Sequence, residues 1–157
     1  MNKISRKMEY ALMALKHMAE RPSGRVTSAK EIVDLTGAPF DATARVMQLM
    51  AQAGLLKSEQ GAYGGYKIKK DLNQVSLKDL LEVIQGRIEV VKCACEPNEE
   101  VDCSLLASCN IQMPMREFNQ QLQDFYSQLS VGQLLKVQTP ALGSVDELRE
   151  GKQDERI

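Results

Sequence analysis

Apolar residues recur at three- and four-residue steps in the first twenty positions of the chain, which is the period of an amphipathic helix. Ser5 precedes this pattern and is a typical helix N-cap. The stretch from Arg21 to Gly24 contains the proline and glycine that usually follow a helix. The pattern therefore predicts a first helix between these points, with the apolar positions Met8, Ala11, Leu12, Leu15, Met18 and Ala19.

Two further helices are predicted in the next thirty residues. Ser28 and Glu31 have the spacing of a capping box, and Gly37 stands where a residue just past a helix end is expected. A third helix should open around Pro39 and close at Gly54. Two short helices joined by a tight turn are typical of a helix-turn-helix.

A β-hairpin should follow the third helix. Two short alternating segments, Leu55 to Ser58 and Tyr66 to Lys69, flank a glycine-rich stretch. A hairpin directly after a helix-turn-helix is the wing of a winged helix, whereas a lone hairpin with a flexible tip would have no special meaning. The preceding helices favour the wing. We therefore expect a mainly α protein with a small β-hairpin wing.

The second half of the chain predicts a fourth helix, a long fifth helix and a short last helix. Ser76 and Asp79 have capping-box spacing, Pro114 suits a first helical turn, and Ser130 with Gln133 can cap the last helix. The fourth helix has an apolar face of Leu77, Leu80, Leu81 and Ile84, and the last one runs through Leu134, Leu135 and Val137.

The long helix carries an apolar stripe at alternating steps of three and four residues. The stripe is either core packing or a dimerisation surface, and we favour dimerisation because symmetric sites on double-stranded DNA normally require a homodimer. It consists of Met115, Phe118, Leu122, Phe125 and Leu129.

Three segments follow from this pattern. Residues 1–75 form the predicted winged helix-turn-helix, residues 76–138 hold the cysteine loop and the dimerisation helix, and residues 139–157 are polar and charged enough to predict a disordered tail. The 157-residue chain has a net charge of −1, but residues 1–70 carry +6 and residues 71–157 carry −7. This asymmetry suggests that a polyanion contacts the first half. His17, the only histidine, is expected on the surface or at an interface.

All four cysteines lie between the fourth and fifth predicted helices, at Cys93, Cys95, Cys103 and Cys109. Such clusters form disulfides, bind zinc or bind iron-sulfur clusters. The N-terminus lacks the long apolar region of a signal peptide, so we expect a cytoplasmic protein, which argues against disulfides. Zinc sites prefer closely spaced cysteine pairs, so the loose spacing favours an iron-sulfur cluster. Zinc and redox-active thiols remain alternatives.

From Ile4 to Val137 the chain resembles the Rrf-two family of bacterial winged-helix transcriptional regulators. The resemblance is carried by Met8 to Leu12, by the wing from Gly54 to Tyr66, by the cysteine loop and by the long helix after it. It implies a homodimer that places its third helices in the major groove and its wings in the minor groove of an operator. It also implies an iron-sulfur cluster, 2Fe-2S or 4Fe-4S, that senses redox, nitric oxide or iron-sulfur status.

The resemblance also implies particular ligands. Cys103 and Cys109 match the second and third cluster cysteines of the family, while Cys93 and Cys95 both fit the first. The fourth ligand varies in the family, and Glu9 of the partner subunit is a candidate, although exposure near a helix start is the commoner fate of such a carboxylate. Gln112 replaces the histidine that some members use.

The predicted DNA contacts lie on the helix-turn-helix and the wing. Arg45 can pair with guanine, and Asp41 can accept from cytosine or cap the third helix, of which we favour the cap. The full set is Thr27, Ser28, Asp41, Ala42, Thr43, Arg45, Gln60, Tyr63, Gly64, Gly65, Tyr66 and Lys67.

We expect no enzyme, because the chain has no nucleophile-base pair, phosphate loop or substrate-binding motif. A cluster-free thiol switch or a zinc-binding regulator is the main alternative, and an iron-sulfur electron carrier is a remote one.

Overall fold

The computed structural model describes residues 4–91 and 103–136. In this part of the chain every predicted helix and both predicted strands are present, so the winged-helix fold class is confirmed. Two short 3-10 turns, Leu72–Gln74 and Leu106–Ser108, complete the described elements. The elements are α1 (Arg6–Ala19), α2 (Ala29–Thr36), α3 (Phe40–Gln52), β1 (Leu56–Glu59), β2 (Gly65–Ile68), α4 (Leu77–Gln85), α5 (Gln112–Gln128) and α6 (Val131–Lys136).

Serine side chains begin four of the six helices, as their sequence positions predicted. At α1 the Ser5 hydroxyl accepts from the backbone N–H of Met8 at 3.3 Å. At α4 the Ser76 hydroxyl accepts from the Asp79 N–H at 3.0 Å, and the Asp79 carboxylate accepts from the Ser76 N–H at 3.3 Å, which completes a capping box. Such caps satisfy N–H groups that have no partner within the helix.

The predicted capping box of α2 is only half formed. Ser28 accepts from the backbone N–H of Glu31 at 3.2 Å, but the Glu31 carboxylate contacts Arg21 instead of returning to the Ser28 backbone. The favoured cap of α3 is wrong. Pro39 occupies its N-cap position without a side-chain hydrogen bond, and Asp41 lies inside the first turn.

One hydrophobic core joins α1, α3 and α4. All four apolar positions predicted on α4 are buried. On α1 the predicted Ala11 is buried together with Ala14, which was not predicted, whereas Ala19 is exposed. The core contains residues from both of the first two predicted segments, 1–75 and 76–138, and includes Val131 of α6. The largest fully buried apolar side chains are Met8, Leu15, Ile32, Met47, Met50, Leu80, Val46 and Val131.

The hairpin pairs β1 with β2 in antiparallel register, with Leu56 opposite Ile68 and Glu59 opposite Gly65. Thr27 extends this small sheet, because its backbone N–H and C=O both pair with Tyr66, at 2.8 and 2.9 Å. The segment that enters α2 is therefore hydrogen-bonded to the wing, so the wing and the helix-turn-helix are joined through backbone atoms.

The long helix α5 packs against α4 but buries only one of its seventeen residues, Asn119. Phe118 is 49% exposed and Phe125 is 57% exposed. Leu129, at the end of the apolar stripe, packs against the core of its own chain, whereas Phe118 and Phe125 remain accessible. Within the described residues no helix combines the length and apolarity needed to cross a membrane. The predicted tail and the end of the last helix at Val137 lie outside the described residues.

Candidate nucleic-acid interface and cysteine segment

The outer face of α3 presents Asp41, Arg45 and Gln48, all of them exposed. The Arg45 guanidinium donates to the side-chain oxygen of Gln48 at 3.3 Å, one turn further along the same face. Gln48 was not among the predicted contacts, although its i+3 spacing from Arg45 places the two side chains together. Arg45 is the only cation that α3 carries. A guanidinium on an exposed helix face can donate two hydrogen bonds to a guanine edge.

Two predicted DNA contacts are buried instead. Thr27 and Thr43 are both 0% exposed, so neither side chain lies on the surface. Thr27 accepts from Arg21 at 3.5 Å, while the Thr43 hydroxyl has no hydrogen-bond partner among the described residues. A direct side-chain contact from either threonine to DNA does not agree with this placement. Ala42 is half-buried.

The turn between α2 and α3 is held by its own side chain. The Thr36 hydroxyl donates to the Ile32 carbonyl at 2.7 Å and accepts from the Ala38 N–H at 3.2 Å. Gly37 follows with φ of 70°, a left-handed conformation that favours glycine. These contacts set the direction in which α3 leaves α2, and so orient its outer face.

The wing tip presents Gln60, which is exposed, and Tyr63, which is 95% exposed. The structure also explains why a glycine stands at position 65, and this explanation was not predicted. A Cβ atom there would lie 2.5 Å from the Thr27 carbonyl oxygen, so a side chain would separate the wing from the segment before α2. Tyr66 is half-buried and packs on the core, which leaves Tyr63 as the fully accessible aromatic residue of the hairpin.

A carboxylate neutralises part of the wing. Glu59 lies 2.6 Å from the Lys67 ammonium and 3.4 Å from that of Lys57. The hydrogen bond from Lys67, with the charge of Lys57 next, lowers the pKa of Glu59 below its ordinary value. Glu59 was missed in the sequence because its partners are set by the strand register, which places Lys57 opposite Lys67.

A polar cluster joins α1, α2 and the wing. Glu31 contacts the Arg21 guanidinium and lies 3.5 Å from the imidazole of His17, and Arg21 also donates to the hydroxyl of Thr27. The His17 side chain is only 22% exposed, so it lies between α1 and α2 and is not an open surface residue. The cluster connects the end of α1 to the segment that pairs with the wing.

Cys103 and Cys109 are free thiols, both half-buried, on either side of the Leu106–Ser108 turn. The backbone N–H of Leu106 donates to the carbonyl of Cys103 at 3.1 Å, and α5 begins three residues after Cys109. Two thiols in one short turn fit as part of a thiolate ligand set. Cys93 and Cys95 lie outside the described residues, and residues 4–91 and 103–136 hold no group of three metal-ligating side chains.

Glu9, the candidate fourth ligand, forms an ion pair within its own chain. Its carboxylate accepts from the Arg6 guanidinium at 2.8 Å, and its side chain is 37% exposed. The two residues are three positions apart on α1, so this is a local surface pair of small energy.

Comparisons with known proteins agree on one group. A family model described as "Rrf2: Iron-dependent Transcriptional regulator" matches residues 4–137. A candidate HTH-type transcriptional regulator of Aquifex aeolicus (strain VF5) is 25% identical over 133 residues, which cover 83% of this chain and 90% of that protein.

Two solved structures are similar in fold. CymR, the global cysteine regulator of B. subtilis, has a TM-score of 0.65 at 23% identity. The match covers 86% of this chain and 97% of the CymR chain. IscR of T. potens has a TM-score of 0.55 at 22% identity and covers 85% of this chain and 86% of its own.

Proposed function

Because this chain belongs to the Rrf2 family of DNA-binding transcriptional regulators, we propose that it is a cytoplasmic homodimer whose affinity for a double-stranded DNA operator responds to redox, nitric oxide or iron-sulfur status through a cysteine-bound iron-sulfur cluster. The family consists of regulators, which are not enzymes. The observation that carries the proposal is the position of two free thiols, Cys103 and Cys109, directly before a helix with an exposed apolar stripe.

DNA binding would use two surfaces. Arg45 and Asp41 of α3 face the major groove, and Gln60, Tyr63 and Lys67 of the wing face the minor groove and its phosphates. Ser28 stands at the N-terminus of α2, where backbone N–H groups favour a phosphate. Because Thr27 and Thr43 are buried, they support these surfaces from within, and Ala42, Gly64, Gly65 and Tyr66 shape the backbone around them.

Dimerisation would cover the apolar stripe of α5. Phe118 and Phe125 are about half exposed in the single chain. Two copies related by a twofold axis would bury these aromatic side chains against each other. The dimer would also set the spacing of the two α3 helices, which symmetric operators require.

The cluster would be held by Cys103, Cys109 and one or both of Cys93 and Cys95, with Glu9 of the partner subunit as a candidate fourth ligand. When bound, such a cluster supplies reactivity toward oxidants and nitric oxide and a dependence on iron and sulfide supply. This chain's part is to present thiolates and to connect them to α5. Ligation favours one arrangement of the cysteine segment over another and so shifts the population of dimers competent to bind DNA.

A thiol switch without a cluster is the second candidate. It is favoured by the two half-buried free thiols in one turn, and by the similarity in fold to a protein described as a global cysteine regulator. In this case oxidation of the thiols, and not loss of a cluster, changes the operator affinity.

Anaerobic purification with a visible absorption spectrum and assays of iron and acid-labile sulfide tests the choice. The operator comes from selection on random duplexes, and its affinity is measured with and without the cluster. Cys103→Ala should lose cluster and regulated affinity together, whereas Ser104→Ala, an exposed neighbour, should keep both. Colourless protein with oxidant-dependent DNA affinity would establish the thiol switch, and no dependence on either state would refute sensing by these cysteines.

A further inference from the structure

Two polar side chains of α5 hold the backbone that leads into the cysteine segment. Asn119 accepts from the N–H of Val90 at 3.1 Å through its side-chain oxygen. Gln123, one turn later on the same face, donates to the carbonyl oxygen of Ile88. Ile88 is 5% exposed and belongs to the hydrophobic core beside α4. The end of α4 is therefore attached to α5 through hydrogen bonds.

Burying these two amide side chains costs more desolvation free energy than burying apolar side chains at the same positions would. Asn119 is 9% exposed and is the one buried residue of α5. The side-chain oxygen of Gln123 is also buried, and it has no hydrogen-bond partner among the described residues. Buried amides lose hydration that an apolar side chain of similar size would not lose. Their specific gain is the directed contact with the backbone at residues 88 and 90.

The other end of the cysteine segment is continuous with the same helix. Cys109 is followed after two residues by Gln112, the first residue of α5. Both ends of residues 91–111 are thus fixed on α5, one covalently at its start and one through Asn119. Asn119 lies seven positions after Gln112, a distance of about 10 Å along a helix axis. A change in the distance between the two ends of the cysteine segment would therefore act on α5 at two points, about two helical turns apart.

We propose that Asn119 and Gln123 are positioning residues that transmit the chemical state of the cysteines to α5, an inference that rests on the proposed function. A bound or oxidised cysteine segment restrains the backbone at residues 88–90, and the two amides pass this restraint to the helix that carries Phe118 and Phe125. Without the two amide side chains, the cysteines can still change their chemical state, but the position of α5 no longer responds. Coupling of this kind requires a contact whose strength differs between the two states.

The test measures the operator dissociation constant of the full-length protein in two states and takes their ratio. In one state the protein is the reduced apoprotein, and in the other its cysteines bind the cluster or are oxidised. The double variant Asn119→Leu with Gln123→Met removes both hydrogen bonds at similar volume. Its ratio should fall to within about twofold of one, against the roughly 5- to 150-fold that is typical of allosteric coupling. Gln120→Met, an exposed glutamine on the same helix, is the matched control and should keep the wild-type ratio.

A merely structural role would lower thermal stability and leave the ratio unchanged, and that result overturns the inference. Asn119→Asp keeps the acceptor for the Val90 N–H and should keep the ratio within about twofold of the wild type, at a pH where its carboxylate is ionised. If the double variant does not fold, Gln123→Met alone provides the same readout. A wild-type protein without any response overturns the proposed function and this inference together, whereas a wild-type response that the variants retain overturns only the inference.

Discussion

Helices α4 and α5 pack against each other, yet they bury different kinds of residues. The nine-residue α4 buries all four of its predicted apolar side chains, Leu77, Leu80, Leu81 and Ile84. The seventeen-residue α5 buries only an asparagine and leaves Phe118 and Phe125 about half exposed. The same amphipathic pattern thus has two outcomes, because α4 packs its whole apolar face within the chain, whereas α5 places Tyr126 against the core and leaves Phe118 and Phe125 about half exposed.

The difference separates stability from association. Each fully buried leucine or isoleucine of α4 contributes about 1.5–3 kcal/mol to folding by removing apolar surface from water. The exposed stripe of α5 contributes little to the fold of one chain, and its apolar surface remains available to a second copy. Three substitutions test this division and a fourth tests the charge of the wing, from the largest expected effect to the smallest.

Leu80→Ala should lower the free energy of unfolding by about 3 kcal/mol, within the roughly 2–5 kcal/mol range for leucine truncation in a core. Leu80 is 0% exposed, so the truncation leaves a cavity between α4 and its neighbours. Urea denaturation at fixed protein concentration measures the effect. Leu35→Ala, at a position 62% exposed, is the matched control and should change stability by less than about 0.5 kcal/mol.

Phe125→Asp should weaken association of the proposed dimer by about 2 kcal/mol or more, because a carboxylate would be buried where an aromatic side chain packs. Sedimentation at micromolar concentrations should show a shift from dimer to monomer. Ser127→Asp adds the same charge on an exposed side of α5 and should leave the dimer intact. A Phe125→Asp protein that remains fully dimeric would exclude the α5 stripe as the interface.

Ser76→Ala should cost about 1 kcal/mol of folding stability by removing the hydroxyl half of the α4 capping box. The loss should appear in denaturation and not in sedimentation, because α4 belongs to the core and not to the exposed stripe. Ser58→Ala, at an exposed position of β1, serves as the control. Equal stabilities of the two variants would contradict a role for the cap.

Glu59→Gln should have the smallest effect, and its main effect should be on DNA binding. Its loss frees Lys57 and Lys67 from a carboxylate, so affinity for any duplex should rise by roughly threefold, with a steeper salt dependence. Glu20→Gln removes one exposed carboxylate from the end of α1 and controls for net charge. Fluorescence anisotropy over a salt series measures both quantities.

The lowered pKa of Glu59 also gives the direction of a pH effect. A depressed carboxyl pKa adds stability at pH values above the unfolded-state pKa of 4.5. This contribution disappears as the pH falls through the lower folded-state pKa. The decline in wild-type stability below pH 4.5 should therefore be slightly steeper than in Glu59→Gln, and identical acid denaturation curves would contradict it.

Local signals explain what could be predicted. Ser5, Ser76 and Gly37 act within one turn of themselves, through a hydroxyl that accepts from a nearby N–H or a backbone angle that favours glycine. The alternation of the hairpin likewise depends only on residues near in sequence. These interactions do not wait for distant parts of the chain, so their residues can be identified by spacing.

Residues whose partners are distant in sequence could not be assigned in this way. Thr27 and Thr43 are polar residues that were expected on the surface, but both are buried, and Thr27 is held by Arg21 and by Tyr66 of the wing. Glu31 completes no capping box because Arg21 and His17 attract its carboxylate. The cap favoured at Asp41 fails for a local reason, because Pro39 occupies the N-cap position of α3 and Asp41 lies within the first turn.

The sequence by itself determined the order and type of the helices and the hairpin and the serine caps of four helices, together with the placement of the cysteines before a long amphipathic helix. Periodicity and capping depend on neighbours within four residues, and these are visible in the chain. Only the tertiary structure decided which apolar stripe is left exposed, which threonines are buried, and that Asn119 and Gln123 hold the backbone at residues 88–90. The two amide contacts join residues 29 and 35 positions apart, and Thr27 pairs with Tyr66 of the wing, so their geometry exists only after distant elements have packed.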